Sequence, residues 1–225
     1  PLRVGVMLQG PRGAAVHADC LAAARSAAQV LEALGHRVEE AYPEALDENA
    51  AVGSYVVIVA ASVARALESH GQKLGRKLGA ADVEPLTWAL AEQGGATSAP
   101  RYIEAVEFVH GFGRRVASFW QRGFDLLLTP TTAALAPRIG ALTETREPPL
   151  APFLRAAPYG AFTSSFNLTG QPAISLPLHE TAEGMPVGAQ LVAAYGREDL
   201  LLRVAAALEE ARPWRDRRAP VYASA

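Results

Sequence analysis

The chain has 225 residues, half of them hydrophobic, and a formal net charge of −2. That length supports one sizeable core or two closely packed lobes. Near-neutral charge of mixed sign leaves no basic stripe for nucleic acid, and no apolar run reaches the ~18 residues needed to cross a bilayer, so neither nucleic acid nor membrane is expected as a partner.

Leu2–Leu8 is apolar enough for an interior strand, and Gln9–Gly13 reads as a turn. The helix expected from about His17 to Leu34 places Cys20, Ala24, Ala27, Leu31 and Leu34 at helical spacing, and Gly35 stops it. His36–Glu40 reads as a strand, which makes a strand–helix–strand unit with parallel pairing and a right-handed crossover. The loop Gly10-Pro11-Arg12-Gly13 lies where backbone amides bind anions. It lacks both the G-x-G-x-x-G spacing and the Lys-Ser/Thr of a P-loop, so it reads as a connecting turn. The single cysteine, Cys20, excludes an internal disulfide and fits a reducing cytoplasm. In its alanine-rich run it reads as a buried structural thiol.

Glu44–Ser69 is apolar in its middle, although Tyr55–Val59 alone would pass as a strand. Gly71–Gly79 is a glycine-spaced basic turn that reads as a solvated loop. Asp82–Gln93 is expected as a short helix, with Asp82 as its cap, Pro85 in the first turn and Trp88 on the apolar face. A long amphipathic helix runs from Thr97 or Ser98 to about Arg122, with Ile103, Val106, Val109, Phe112, Val116 and Phe119 on one side. Leu126–Leu128 forms a buried strand, Thr129–Thr132 leaves the sheet, and Ala136–Pro152 is a proline-rich loop. A loop this long is more often functional than idle. From Phe162 a helix runs to Gly170, which suits a left-handed C-cap. Ala173–Leu178 and Pro186–Val192 are expected as buried strands. A last helix spans Glu198–Ala211 with Leu200, Leu201, Val204, Ala205 and Leu208 inward, and Arg215–Arg218 is expected as solvated surface.

No catalytic set stands out. Ser164, Ser165, Ser175 and five histidines are present, but no G-x-S-x-G elbow, and Ser175 falls inside an apolar strand. No two histidines lie at i, i+4, and there is one cysteine, so no metal or cofactor is expected.

The blocks FNLTGQPAISLP (Phe166–Pro177) and GMPVGAQLV (Gly184–Val192), preceded by FDLLLTPTTAALAPRIG (Phe124–Gly140), resemble the C-terminal part of amidase-signature enzymes. The resemblance implies the C-terminal part of that α/β/α fold, a mixed sheet flanked by helices, with the central catalytic segment absent. On that view residues 1–225 are one portion of a longer chain, in keeping with a start at Pro1. The resemblance also makes Glu44–Ser69 a helix bordering the substrate pocket.

Family chemistry uses two serines and a lysine, with the lysine activating the nucleophile. The lysines here, Lys73 and Lys77, both lie in the glycine-spaced turn, whereas a lysine base needs burial. The resemblance therefore implies a chain that closes a pocket over machinery located upstream and does not turn over amides alone. Trp88, Thr131, Tyr159 and Phe162 are the candidate substrate-binding residues. Three of them have plainer readings: Trp88 as core, Tyr159 as loop packing, Thr131 as a turn cap. Amidotransferase-type members clamp glutamine with an arginine and an aspartate. Here His110 and Gly160 stand at about those positions, with Arg114 or Arg115 as substitutes. This favours an uncharged, partly apolar amide over glutamine, while a glutamine amidotransferase A subunit and a non-catalytic α/β binding module stay as alternatives. Asp82–Glu92 and Glu209–Tyr222 resemble the branch that hydrolyses the 6-aminohexanoate cyclic dimer. The partners implied are a small amide, the preceding portion of the same protein and, as an open alternative, a second copy in a homodimer.

Overall fold

Two parallel strands and the helix between them begin the architecture. β1 (Arg3–Val6) leads through a 3-10 turn at Pro11–Gly13 into α1 (Ala18–Ala33). The chain returns as β2 (Arg37–Glu40), which pairs in parallel with β1, Val4 opposite Val38. β3 (Leu126–Pro130) lies on the other side of β1, again parallel. β4 (Ala173–Glu180) and β5 (Pro186–Ala193) form an antiparallel pair, and the sheet order is β2-β1-β3-β5-β4. This is the mixed α/β sheet that the sequence implied. The computed structural model describes residues 1–143 and 148–218.

All five residues of β3 are buried because helices cover both faces of the sheet. Leu126 and Leu128 point to one face with Val4, Val6, Leu178 and Leu191, under α1 and α7 (Glu198–Ala211). Leu127 and Val192 point to the other, with Phe112, Val116 and Phe119 of α4 (Ala99–Gln121) and Phe162 and Phe166 beside α6 (Ser164–Thr169). Phe119 is fully buried, and burial of such a ring contributes roughly 1.5–3 kcal/mol. Gly5 makes room for it: a Cβ there would lie 2.6 Å from the Phe119 ring.

Three helices extend the second face. α2 (Ala50–Lys73) packs against α3 (Pro85–Gly95) and α4. Gly94 of α3 lies so close that a Cβ would come 2.0 Å from the Ala60 carbonyl. Ser98 caps α4 by accepting from the Arg101 amide at 3.3 Å, and Pro100 occupies the first turn. Only the C-terminal half of the α4 stripe is buried; Ile103 is 54% exposed.

Several expectations are corrected. Residues Glu44–Asp47 form a separate 3-10 turn, so α2 starts at Ala50 and runs on to Lys73. Asp82 does not cap α3, which opens at Pro85; it accepts instead from the Gly79 amide and from Arg76. The proline-rich loop gives way to a helix, α5 (Ala151–Gly160); four of its residues, 144–147, lie outside the described ones. β4 is an edge strand, and Ser175 is exposed on it. Its burial alternates, with Leu176 and Leu178 facing the core. The basic tail folds back on that edge: Arg217 donates to the Pro177 carbonyl at 2.9 Å. Finally, α2 is long and apolar enough to cross a membrane by length and composition, which a search for unbroken apolar runs does not show.

Candidate functional site

β3 ends in a ladder of hydroxyls. Thr129 is buried and donates to the Pro130 carbonyl. The Gln190 amide of β5 donates to Thr129 Oγ1 at 3.0 Å and to the Phe162 carbonyl at 3.3 Å, which ties the turn before α6 to the sheet. One step further out, Thr131 Oγ1 and Ser175 Oγ lie 2.7 Å apart, and the Thr131 amide donates to the Gly188 carbonyl. Gly188 has no side chain because those two hydroxyls occupy the space.

α5 and α6 form one wall of a cleft of about 290 Å3, and the start of α2 forms the other. Its lining includes Ala51, Val52 and Tyr55 from α2, and Phe153, Leu154 and Ala157 from α5. Gly160 sits where a Cβ would meet nothing within 4 Å, so the cleft is open there. Ser164, Ser165 and Arg12 line it too. Arg12 has φ 57° and ψ 29°, a left-handed backbone that a non-glycine residue adopts at a steric cost. Its amide donates to Asp47 Oδ1 at 2.6 Å, and Nη1 donates to the Leu46 carbonyl at 2.8 Å. Burial pulls the Arg12 guanidinium below its usual value, and the Asp47 charge opposes that pull.

A second cleft, of about 660 Å3, lies between the end of α2, the 71–78 turn and α3. Trp88 and Lys77 line it, and Lys77 and Lys73 are both exposed. Arg76 closes the turn with a forked pair to Asp82, at 2.7 and 2.9 Å.

The four candidate binding residues do not converge. Trp88 is half-buried on the second cleft, which none of the other three lines. Thr131 is in the hydroxyl ladder, and Tyr159 is half-buried on α5. Phe162 is 2% exposed, in the core behind the first cleft. The resemblance has Val52 and Tyr55 within the helix bordering the pocket, and Arg12 lies in the turn read as a plain connection rather than an anion site; Phe153 and Leu154 carry no signal in the sequence. Cys20 is fully buried and burial raises its thiol, in keeping with a structural role. Arg115 is held by Glu48 through two bonds of 2.6 and 2.5 Å, so its charge is already matched.

The family profile described as Amidase matches residues 1–202. The chain belongs to the amidase family. It is 43% identical over 223 residues to the 6-aminohexanoate-cyclic-dimer hydrolase of Pseudomonas sp. (strain NK87), a match covering 96% of this chain and 45% of that relative. The corresponding hydrolase of Paenarthrobacter ureafaciens gives the same identity and coverage. A solved structure of 6-aminohexanoate cyclic dimer hydrolase matches with a TM-score of 0.91 at 42% identity, over 96% of this chain and 46% of that one. The chain thus spans less than half the length of these relatives. As an amidase chain it joins the family's helix-covered sheet to an apolar cleft.

Proposed function

We propose that these residues form one wall of the substrate pocket of an amide hydrolase. The substrate is an uncharged, partly apolar carboxamide or cyclic amide, in line with the relatives' 6-aminohexanoate cyclic dimer. The serine–serine–lysine set that cleaves the C–N bond sits on polypeptide preceding Pro1, and residues 1–225 are the C-terminal portion of that amidase domain. The observation that carries this reading is the α2/α5/α6 cleft, about 290 Å3 and mostly apolar, on an amidase chain whose two lysines, Lys73 and Lys77, are both exposed.

The glutamine reading needs a cation faced by a carboxylate, and the cleft lining holds Arg12 but no acid. Arg115 is neutralised by Glu48, His110 is exposed, and Gly160 offers the cleft no carboxylate. A binding module without chemistry is the remaining alternative, and one assay separates it. The 225 residues alone, and the same residues with the upstream coding sequence restored, are incubated with 6-aminohexanoate cyclic dimer and with hexanamide, then treated with a serine-directed reagent. Hydrolysis is expected only in the extended protein, with the label upstream of Pro1. Turnover by the 225 residues with a label on Ser164, Ser165 or Ser175 would overturn the proposal; so would an inert extended protein.

A further inference from the structure

We propose that Arg12 determines specificity in the α2/α5/α6 cleft by binding a carboxylate or amide oxygen at the end of an unbranched aliphatic chain. The inference rests on the reading of that cleft as a substrate wall and deepens it.

The backbone is the first observation. Arg12 has the only positive φ among the described non-glycine residues, at 57°, and Gly13 stands beside it in the same turn. A glycine at position 12 would adopt this conformation without cost, so the side chain is held here against the local preference. Asp47 takes the Arg12 amide, and the Tyr42 hydroxyl in turn donates to Asp47 at 2.9 Å, while Gln9 donates to Tyr42. A four-residue network thus fixes the turn.

The second observation is which donors remain. Nη1 is engaged by the Leu46 carbonyl. Among the described residues Nε and Nη2 have no hydrogen-bond partner, and no carboxylate pairs with the guanidinium. Neither nitrogen is among the buried polar atoms without a partner, and Arg12 lines both this cleft and the neighbouring one that Gln9 and Asp47 line. Nε and Nη2 form the side-on edge of the guanidinium, whose two parallel N–H groups match the oxygens of a carboxylate or one amide oxygen. Arg12 keeps its charge at neutral pH even though burial lowers its pKa.

The third observation is the rest of the cleft. Its lining carries no acid, and Tyr55, Ser164 and Ser165 are its other polar side chains. Ala156, Ala157, Gly160 and Leu168 are small or apolar members of the same lining. A cation in an otherwise apolar cleft selects a chain that ends in an oxygen acceptor and rejects one ending in an ammonium group.

The test is a 1H–15N NMR titration of the 225-residue chain with hexanoate, hexanamide and hexylamine. Hexanoate or hexanamide is expected to shift the Arg12 Nε–H and the amides of Ala157 and Gly160, and hexylamine is not. A response to hexanoate alone assigns the site to carboxylates; a response to hexanamide alone assigns it to neutral amides. Arg12→Gly suits the left-handed turn and is expected to weaken the responding probe about tenfold, on the scale of a lost charge-assisted bond. Arg12→Lys keeps the charge without the fork and is expected to weaken it less. Unchanged affinity in Arg12→Gly, equal binding of hexylamine, or no response to either oxygen-bearing probe overturns the proposal. The readout is binding without turnover, so it fails independently of the hydrolysis assay.

Discussion

At Gly160 a Cβ would meet no atom within 4 Å, whereas at Gly188 it would land 2.5 Å from Ser175 Oγ and 2.6 Å from Thr131 Oγ1. The first glycine is empty space on the cleft; the second is space already used by the hydroxyl ladder. Gly160→Ala should leave the melting temperature unchanged or raise stability by about 0.4–1 kcal/mol through the unfolded chain, while narrowing the cleft and weakening hexanamide binding in the same NMR titration. Gly188→Ala should force the two hydroxyls apart and lower stability by about 1–3 kcal/mol, as overpacking does. Urea denaturation checks this by a lower midpoint at constant slope. The resemblance puts Gly160 at about a substrate-clamping position, which fits its place on the cleft, whereas the hydroxyls that fill the space at Gly188 come from Thr131 and Ser175, distant in sequence. Arg12 is a sharper case. Its turn was placed correctly from Gly10-Pro11 and Gly13, but a left-handed arginine leaves no trace in residue type, because the reason lies 35 positions away at Asp47.

Local signals located most elements and failed where a tertiary neighbour decided. Gly170 takes φ 78° at the end of α6, and Pro85 opens α3, as their types required. α5 escaped notice because Pro152 and Pro158 punctuate it. A proline is tolerated in the first turn, and ten residues barely extend past the second one. β4 was expected to be buried because its residues are apolar, yet sheet order is not written in composition. Asp82 shows the same limit at a helix start: its type suits a cap, but Arg76 and the Gly79 amide compete for it and win. The Arg76 fork first, and the Gly79 amide second, push the Asp82 carboxyl down to about 2. A carboxyl whose folded pKa lies below the ordinary 3.8 stabilises the fold above that value and loses the contribution as pH falls toward 2. The turn that borders the Trp88 cleft should therefore stay latched at neutral pH and open between about pH 4 and 2. A 13C carboxyl titration should place Asp82 near 2. Asp82→Asn should remove the pH dependence of amide protection in residues 71–82, and high salt should weaken it, since the pair is solvent-accessible. An Asp82 midpoint near 3.8 would show that the latch does not form.

For the molecule as a whole, the question is which surface is built to meet another. A sheet that is part of a larger fold suggests a bare strand edge, but both edges here are blunted. β2 presents Arg37, Glu39 and Glu40. β4 carries Pro177 and a bulge between Leu176 and His179, and its Pro177 and Leu178 carbonyls accept from Arg217 and Arg212. Charge, proline and occupied carbonyls all discourage strand pairing. The helical face is different. Only 17% of the most apolar window of α2 is buried within this chain, and Val52 at 46% and Leu154 at 70% exposure flank the cleft. Contact with further polypeptide, whether the preceding portion of the protein or a second copy, should therefore run through α2 and α5. Solution scattering of the 225-residue chain over a concentration series should show its apparent mass rising with concentration. Val52→Glu with Leu154→Glu should hold it at the monomer value, because two carboxylates cannot be buried unpaired in an apolar contact. A charge-reversing change on β2, Glu39→Lys with Glu40→Lys, should leave the association unchanged. If the β2 variant dissociates the chain and the α2/α5 variant does not, the edge is the meeting surface and the helical face is not.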